Sequence, residues 1–546
     1  VRPGPHAYDG SYTELNLKWR DIDILVQSAA ADGQFYLLIT PNKNVSSAVL
    51  LVDPSMFYNR QGEITVEKQN ISAKLSSGTV SLMCMGHKTE VPSSRNAAEI
   101  AYILDEPVSI STSGKSSKEI IASIESARKR FAESKKKYGE LTDVYDGMQS
   151  VLAWNVIYEP IKQRVIAPVS RAWSIGWGGY VLFDWDTYFS SYMFSLDDRE
   201  LAYANAVEIT KEITDTGFVP NYAGAKTSSD DRSQPPVGAM VIRELYRHYK
   251  DKWLLEETFN ELLTWNRWWE KNRVTNGLLC WGSNPYKGYL SRPSEIMNVN
   301  ARMGAALESG LDNSPMYDDM PFNSKTHQMK LADVGLTAMY VMDCDALADI
   351  ADVLGKKDES SELRQRAAKY RANMARMWND KSGIYLNVRT DTGEFSLRMS
   401  PTNFYPFLAK APDAAQAGRM IKEHFYNPNE FWGEWIMPSI ARNDADFPDN
   451  EYWRGRIWAP MNFLVYMGMR NYDIPEARKD LVEKSRKLFL KLWLGERHVY
   501  ENINSTTGVG DDVGSSDKFY HWGALLGFIS FIENGTLGAP EAPITN

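Results

Sequence analysis

Between Asp21 and Asn42 the chain reads DIDILVQSAAADGQFYLLITPN, two runs of β-branched and aromatic residues divided by Asp32-Gly33. Asp-Gly favours the positive φ angles of a tight hairpin turn, so this stretch predicts a pair of antiparallel strands. Similar short runs follow in SSAVLLVDPS (46–55), GEITVEKQNISAKLSSGTVSLMCMG (62–86) and AAEIAYILDEPVSISTSG (97–114). Short strands at close spacing with turns between them predict an antiparallel β-sandwich over residues 1–115.

At Ser117 the period changes. SKEIIASIESARKRFAESKKKYGEL places Ile120, Ile121, Ile124, Ala127 and Phe131 near helical spacing among charges, which predicts an amphipathic linker helix within residues 116–145. From 146 to 546 helical patterns alternate with polar, aromatic loops, as in DRELAYANAVEITKEITDTG (198–217), KWLLEETFNELLTWNRWWEKNR (252–273), KLADVGLTAMYVMDCDALADIADVLG (330–355) and APMNFLVYMGMRNY (459–472). About ten to twelve helices joined in succession pack as antiparallel neighbours, and closing the series gives a helical toroid. A stack of helical repeats is the alternative architecture, but the sequence has no fixed-length repeat. The expected fold is therefore multidomain and mainly α, a toroid preceded by a β-sandwich. The long inter-helix loops exceed ordinary connection lengths and are where function concentrates.

Length and composition narrow the class. The chain has 546 residues, 43% hydrophobic and 24% charged, with a net charge of −9. No basic block is present to neutralise a phosphate backbone, which argues against a nucleic-acid ligand; the run SARKRFAESKKKYGE (126–140) mixes acids with bases and reads as an exposed helix surface. Cys84, Cys280 and Cys344 lie far apart among apolar neighbours, so they read as buried thiols with no disulfide framework and no metal-ligand spacing. No apolar run reaches the length needed to span a bilayer. The chain opens VRPGPHAYDG without Met, as a chain does whose signal peptide has been removed; a periplasmic or secreted location is then the expectation, beside a cytoplasmic one. Oligomeric state is not legible. The 17 Trp and 28 Tyr outnumber the 20 Phe, a balance toward rings with a polar edge, which stack on sugar faces while bonding hydroxyls.

Four loops join carboxylates to aromatics: WGGYVLFDWDTYFSSYMFS (177–195), ESGLDNSPMYDD (308–319), FWGEWIMPSIARNDADFPDNEYWRGRIWAP (431–460) and HVYENINSTTGVGDD (498–512). Acetal hydrolysis needs this combination, since one acid protonates the leaving oxygen, one carboxylate activates water, and rings hold the sugar. Structural roles stand beside each. Asp184 or Asp186 can cap the helix DTYFSSYMF, Asp318 and Asp319 can face solvent, Glu434 can pair with Arg442 or Arg454, and Glu501 can cap its own loop. Ser-His-Asp, Cys-His, G-x-S-x-G, G-x-G-x-x-G and P-loop patterns are absent, which removes the common nucleophilic and nucleotide chemistries.

FDWDTYF, ESGLDNSP, YWRGRIW and YENINSTTG…FYHWGALLG occur in the order found in glycoside hydrolase family 63, and over Asp146 to Glu533 the chain resembles that family. The resemblance implies an (α/α)6 toroid and an inverting mechanism on α-glycosides, with no cofactor. It implies Asp312 as general acid and Glu501 as general base. Phe183, Trp185 and Asp186 would line and hydrogen-bond the sugar at the cleaved end, with Tyr452, Trp453, Arg454, Trp458 and Trp522 in the same pocket. Asn221 and Tyr222 of GFVPNYAG fall where the family has another sugar-contacting loop, and Glu434 and Trp435 join the substrate-binding set. Some bacterial members carry an Asp/Asn-rich calcium loop before the acid motif; the corresponding span, 276–300, has no such pattern, so no metal is expected.

The expected function is thus exo-acting hydrolysis of a terminal α-linked sugar, foremost an α-glucosidase on short oligosaccharides. Burial of Asp312 among Leu311, Pro315 and Met316 would keep it protonated, while Glu501 stays ionised to take a proton from water. Alternatives are a mannosylglycerate-type hydrolase, for which Arg454 or Arg302 would meet the glycerate carboxylate, a trehalase-like enzyme or phosphorylase, and a non-catalytic sugar-binding protein on the same fold.

Overall fold

A computed structural model describes residues 1–43, 48–56, 61–90, 99–285 and 301–544, divided into two compact units, Val1–Trp154 and Asn155–Asn546. In the first unit, β1 (Arg2–His6), β2 (Thr13–Trp19), β3 (Ile22–Ala31), β4 (Gln34–Pro41), β5 (Val49–Val52), β6 (Gly62–Glu67), β7 (Asn70–Leu75), β8 (Gly78–Met85), β9 (Lys88–Thr89), β10 (Ile100–Ile103) and β11 (Val108–Ser111) form two antiparallel sheets. Eight strands run in the order β1-β2-β3-β4-β11-β8-β7-β6, and three in the order β5-β10-β9. Asp32 and Gly33 both take positive φ in the β3–β4 turn, as the Asp-Gly signal required.

The two faces of the large sheet follow from strand alternation. Ile39 pairs with Val108 and Leu37 with Ile110, and this face packs against Ile100 and Tyr102 of the small sheet. Tyr36 and Leu38 point the other way, onto Ile120, Ile124 and Ala127 of α1 (Ser117–Ser134). The helix expected as a linker therefore covers a sheet face. Ile121 lies off the buried stripe and is exposed, and Lys135, within the basic run, is buried against Asp146. α2 (Thr142–Asn155) carries the chain to the end of this unit at Trp154.

The second unit is mainly helical. Hairpin β12 (Ile157–Glu159) and β13 (Arg164–Ile166) leads to α3 (Arg171–Gly176), β14 (Val181–Phe183), α4 (Asp184–Phe194) and α5 (Arg199–Lys211). After β15 (Tyr222–Gly224) come α6 (Gly238–Tyr249), α7 (Lys252–Asn272), α8 (Ala301–Glu308), α9 (Val334–Leu354), α10 (Lys357–Asn373) and α11 (Ala414–Arg419). The last helices are α12 (Ala459–Met469), α13 (Pro475–Glu496) and α14 (Leu525–Glu533). Among the described residues no helix is long and apolar enough to cross a membrane, and the three cysteines are buried free thiols.

These helices are of two kinds. Every residue of α4 and of α12 is buried, and so is nearly all of α14, whereas α10 buries only Ser360, Leu363, Ala367 and Tyr370. A helix apolar around its whole circumference belongs inside, and one with a narrow apolar stripe belongs outside. Contacts agree: α4 packs on α6, α6 on α9, α9 on the 3-10 segment Pro401–Phe407, that segment on α12, α12 on α14, and α14 on α4. The series closes on itself, with α5, α7, α10 and α13 each packed against one or more of its members. The sequence pattern does not reveal the Pro401–Phe407 member, because Pro401 and Pro406 remove backbone donors and hide any 3.6-residue period. At the N-terminal ends of several members, Phe183 of β14 precedes α4, Val237 precedes α6, Trp458 precedes α12, and Tyr520 precedes the short turn leading into α14.

Candidate active site

Strand pairing brings the first two motif loops together. Phe183 of β14 stands opposite Tyr222 of β15, and Asp184 N donates to Asn221 O at 3.2 Å. The chain then turns into α4, so Trp185 and Asp186 occupy its first turn. Neither Asp184 nor Asp186 caps the helix, because Phe183 holds the cap position without a side-chain bond. Asp186 instead accepts a hydrogen bond from Tyr520 Oη at 2.8 Å. Asn221 has a supporting role: its Nδ2 donates to Leu307 O at 3.0 Å, tying this hairpin to the end of α8, where the acidic loop begins.

The four carboxylates of ESGLDNSPMYDD separate into distinct roles. Glu308 is fully buried and accepts four donors, Arg273 Nη2 (2.8 Å) and Ser233 N (3.1 Å) on one oxygen, Arg273 Nε (2.7 Å) and Gly282 N (2.7 Å) on the other. It anchors the loop. Gly310 has φ +72° and lies against Trp185, where a Cβ would fall 2.7 Å from the ring. Only glycine meets both demands, and the loop thereby rests on the FDWD tryptophan. Asp312 is half-buried and lines a cavity. Asn313 Oδ1 accepts Trp453 N at 2.9 Å, joining this loop to YWRGRIW. Asp318 and Asp319 are exposed, Asp318 within 2.7 Å of Arg454.

Glu501 reaches the same cavity from the opposite end of the sequence. Its strand segment is registered by Ile503, which exchanges two backbone hydrogen bonds with Ile457 (2.7 and 3.0 Å). One Glu501 oxygen accepts Tyr452 Oη at 3.0 Å, the other Asp517 N at 3.1 Å, and its carbonyl accepts Trp522 Nε1 at 2.9 Å. Tyr452 holds this position with φ +51°, a conformation rare for a bulky residue and one that persists only where surroundings enforce it. Trp458 Nε1 donates to Tyr452 O at 2.9 Å and supplies part of that enforcement.

Behind Tyr452 and Glu501 lies an aromatic box. Trp453 and Trp458 stack at 3.5 Å between centroids with 9° between planes, and Trp522 stands edge-on to Trp185, Trp453 and Trp458. The cavity in front holds about 1070 Å³ and is lined on its polar side by Asp312, Asn313, Glu451, Tyr452, Glu501 and Asp517. Burial pushes the Glu501 carboxyl up to about 8, helped by the Asp517 and Asp186 charges and opposed by the bonds from Asp517 N and Tyr452. Burial likewise pushes Asp186 up to about 8, with the Asp312 charge adding to it and the Tyr520 hydroxyl opposing it. Tyr452 is raised well above its ordinary range by burial and by the charges of Glu501, Asp312 and Asp186. Burial therefore works against the expectation that Glu501 stays ionised, and only the Tyr452 hydroxyl and the Asp517 N–H favour its carboxylate form.

Of the expected site residues, Asp312, Tyr452 and Glu501 line the cavity, whereas Phe183, Trp185, Asp186, Asn221, Tyr222, Trp453, Arg454, Trp458 and Trp522 do not. Glu434 is exposed and lies 3.6 Å from Lys487 rather than against Arg442 or Arg454, and Trp435 sits under Lys487 and Lys491; neither lines the cavity. Arg454 bonds Asp318 and Asp449, each at 2.7 Å, and approaches Asp446 at 3.3 Å, while Arg302 donates to Tyr317 O at 2.8 Å. The span 276–300 is described only as far as Pro285, so most of the region where a calcium loop would fall lies outside the described residues. Conversely, Trp173, Trp177 and Asp517 line the cavity and Tyr520 bonds Asp186, though none was among the expected site residues; Trp177 and Tyr520 lie within the motif loops, Trp173 and Asp517 outside them. A signal existed for the tryptophans, whose spacing in SRAWSIGWGG puts both on one side of a helical turn.

Known proteins resemble this chain in sequence and in fold. The sequence profile of the mannosylglycerate hydrolase MGH1-like glycoside hydrolase domain matches residues 179–522, well over half the chain. The mannosylglycerate hydrolase of Thermus thermophilus is 23% identical over 359 residues, 56% of this chain and 78% of that protein. The probable mannosyl-oligosaccharide glucosidase of Schizosaccharomyces pombe is 23% identical over 321 residues, 54% of this chain and 35% of that protein. Among solved structures, a GH63 mannosylglycerate hydrolase from Thermus thermophilus in complex with glucose aligns with a TM-score of 0.55 at 19% identity, covering 71% of this chain and 99% of that one.

Proposed function

The chain belongs to the mannosylglycerate hydrolase MGH1-like glycoside hydrolase family, as the family 63 motifs implied, and from that membership we propose that it removes a terminal α-linked sugar with inversion. The observation that carries this is the arrival of Asp312 and Glu501 at one cavity over a tryptophan box, from loops 189 residues apart. Asp312 protonates the glycosidic oxygen as the C–O bond breaks. Glu501 takes a proton from water on the opposite face of the sugar, and the water oxygen bonds the anomeric carbon. An inverting pair needs roughly 6.5–9.5 Å between carboxyls to admit that water. Asp186, buried against the Tyr520 hydroxyl, and the packed rings of Trp185, Trp453 and Trp522 support this end of the site from behind Tyr452 and Glu501, and Tyr452 and Asp517 N orient the base.

The closed series from α4 to α14 supports an (α/α)6 toroid in which Pro401–Phe407 replaces one inner helix. The substrate we favour is an α-glucoside on a short oligosaccharide. A glycoside of glycerate is the second reading, favoured by the names of the relatives. The cations foreseen for a glycerate carboxylate argue against it: Arg454 is engaged by carboxylates and Arg302 by a backbone carbonyl. Screening α-linked disaccharides against an α-glycoside of glycerate, with NMR of the fresh product, tests all of this. The β-anomer should appear first, and initial α-anomer would rule out inversion.

A further inference from the structure

The aromatic and apolar lining of the cavity has a different chemistry from its carboxylates. Trp173 and Trp177, one turn apart at α3, are both half-buried, stacked at 6.4 Å and 27°, and line the cavity. Steeply angled contacts hold both rings in place, Trp173 with Phe183 (5.5 Å) and Tyr520 (6.2 Å), Trp177 with Phe183 (5.7 Å) and Tyr222 (4.7 Å). Met303 and Leu307, also four residues apart and half-buried, line the cavity from α8, just before the Asp312 loop. The volume of about 1070 Å³ reaches the upper end of the roughly 300–1,000 Å³ usual for small-molecule pockets and exceeds what one sugar ring fills. Two cations, Arg171 and Lys518, line it, and both are exposed. Arg171 donates to Val156 O at 3.2 Å and Lys518 lies 3.8 Å from Asp511. A small carboxylate is recognised by a desolvated, forked guanidinium, and exposed cations do little of that work.

We propose that Trp173 and Trp177, faced by Met303 and Leu307, form the leaving-group subsite, and that the leaving group is an uncharged second sugar with an apolar face rather than a small carboxylate. The inference rests on the glycosidase reading of the cavity. The ring faces of the tryptophans stack on the C–H face of the departing sugar, whose oxygen lies toward Asp312.

The test compares α-linked glucose disaccharides with α-glucosyl fluoride, whose leaving group is too small to reach the tryptophans. In Trp173→Ala and Trp177→Ala the disaccharide-to-fluoride ratio of kcat/KM should fall roughly three- to tenfold, the size of one aromatic stacking contact. Met303→Ala, on a separate helix, applies the same ratio if a tryptophan variant does not fold. An unchanged ratio in these variants overturns the subsite, as does a wild type that prefers a glycoside of glycerate to every neutral disaccharide. Either result, with the fluoride still hydrolysed, leaves the glycosidase reading standing. If the wild type hydrolyses none of these substrates, that reading fails, and calorimetric titration with maltotriose then decides the subsite: affinity should fall at least threefold in Trp177→Ala, and equal affinity would reject it.

Discussion

Two loops of this chain look alike in sequence and differ in place. ESGLDNSPMYDD carries Asp312, and FWGEW carries Glu434; each sets a carboxylate in an irregular loop, the second next to Trp435 and two residues after Trp432. Asp312 lines the cavity, whereas Glu434 stands in solvent beside Lys487. The difference lies in what holds the backbone. The Asp312 loop is tethered by Glu308 to Arg273, by Gly310 to Trp185 and by Asn313 to Trp453. Glu434 has instead a single exposed ion pair, and its carbonyl accepts from Lys484 at 3.1 Å. A carboxylate next to tryptophan in sequence is common; a carboxylate held over tryptophan by a buried framework is what catalysis needs.

That contrast breaks most sharply at the carboxylates themselves. Asp312→Asn and Glu501→Gln should each lower turnover by about 10²–10⁴-fold with an unchanged melting transition, in steady-state assays on a hydrolysed α-glycoside. Near-wild-type turnover in either would take that residue out of the chemistry. Next in size is the tether. Glu308→Ala strands a fully buried Arg273 and should destabilise the fold by about 3–5 kcal/mol in denaturant unfolding, while Glu434→Ala should not.

The base should also announce itself in the pH profile. Glu501 works ionised and burial pushes its carboxyl up to about 8, so kcat/KM should rise as pH increases toward that value and fall below it. Tyr452 donates to the carboxylate and so favours the ionised form; Tyr452→Phe should therefore move this acidic limb upward, by about one pH unit. A limb that stays put would mean that another group controls it. The smallest effect belongs to the surface loop, where Glu434→Gln should change neither activity nor stability by more than about 0.5 kcal/mol.

Much of this was legible before any coordinates. Alternation marked the strands and Asp32-Gly33 their hairpin, and the 3.6-residue period marked the long helices. The four motifs named Asp312 and Glu501, which the fold brings to one cavity, along with the tryptophans packed behind them. Other features escaped for physical reasons. Pro401–Phe407 has no helical period because its prolines lack donors, yet it fills an inner position. Trp173 lies outside every carboxylate loop and Trp177 only at the edge of one, and the cavity is what gives them a common place. Tyr520 gains its role from one hydroxyl meeting Asp186 across 334 residues.

The sequence by itself determined which segments must be buried all round, as in α4 and α12, and which carboxylates lie in loops able to leave the helical pattern. Burial preference is a local property of composition and period, so one dimension suffices to record it. Only the tertiary structure decided that Asp312 rather than Glu434 faces the cavity, and that Arg454 is spent on Asp318 and Asp449 instead of meeting a substrate. Those outcomes depend on distances between residues far apart in the chain, set by which inner elements pack side by side, and no local pattern encodes them.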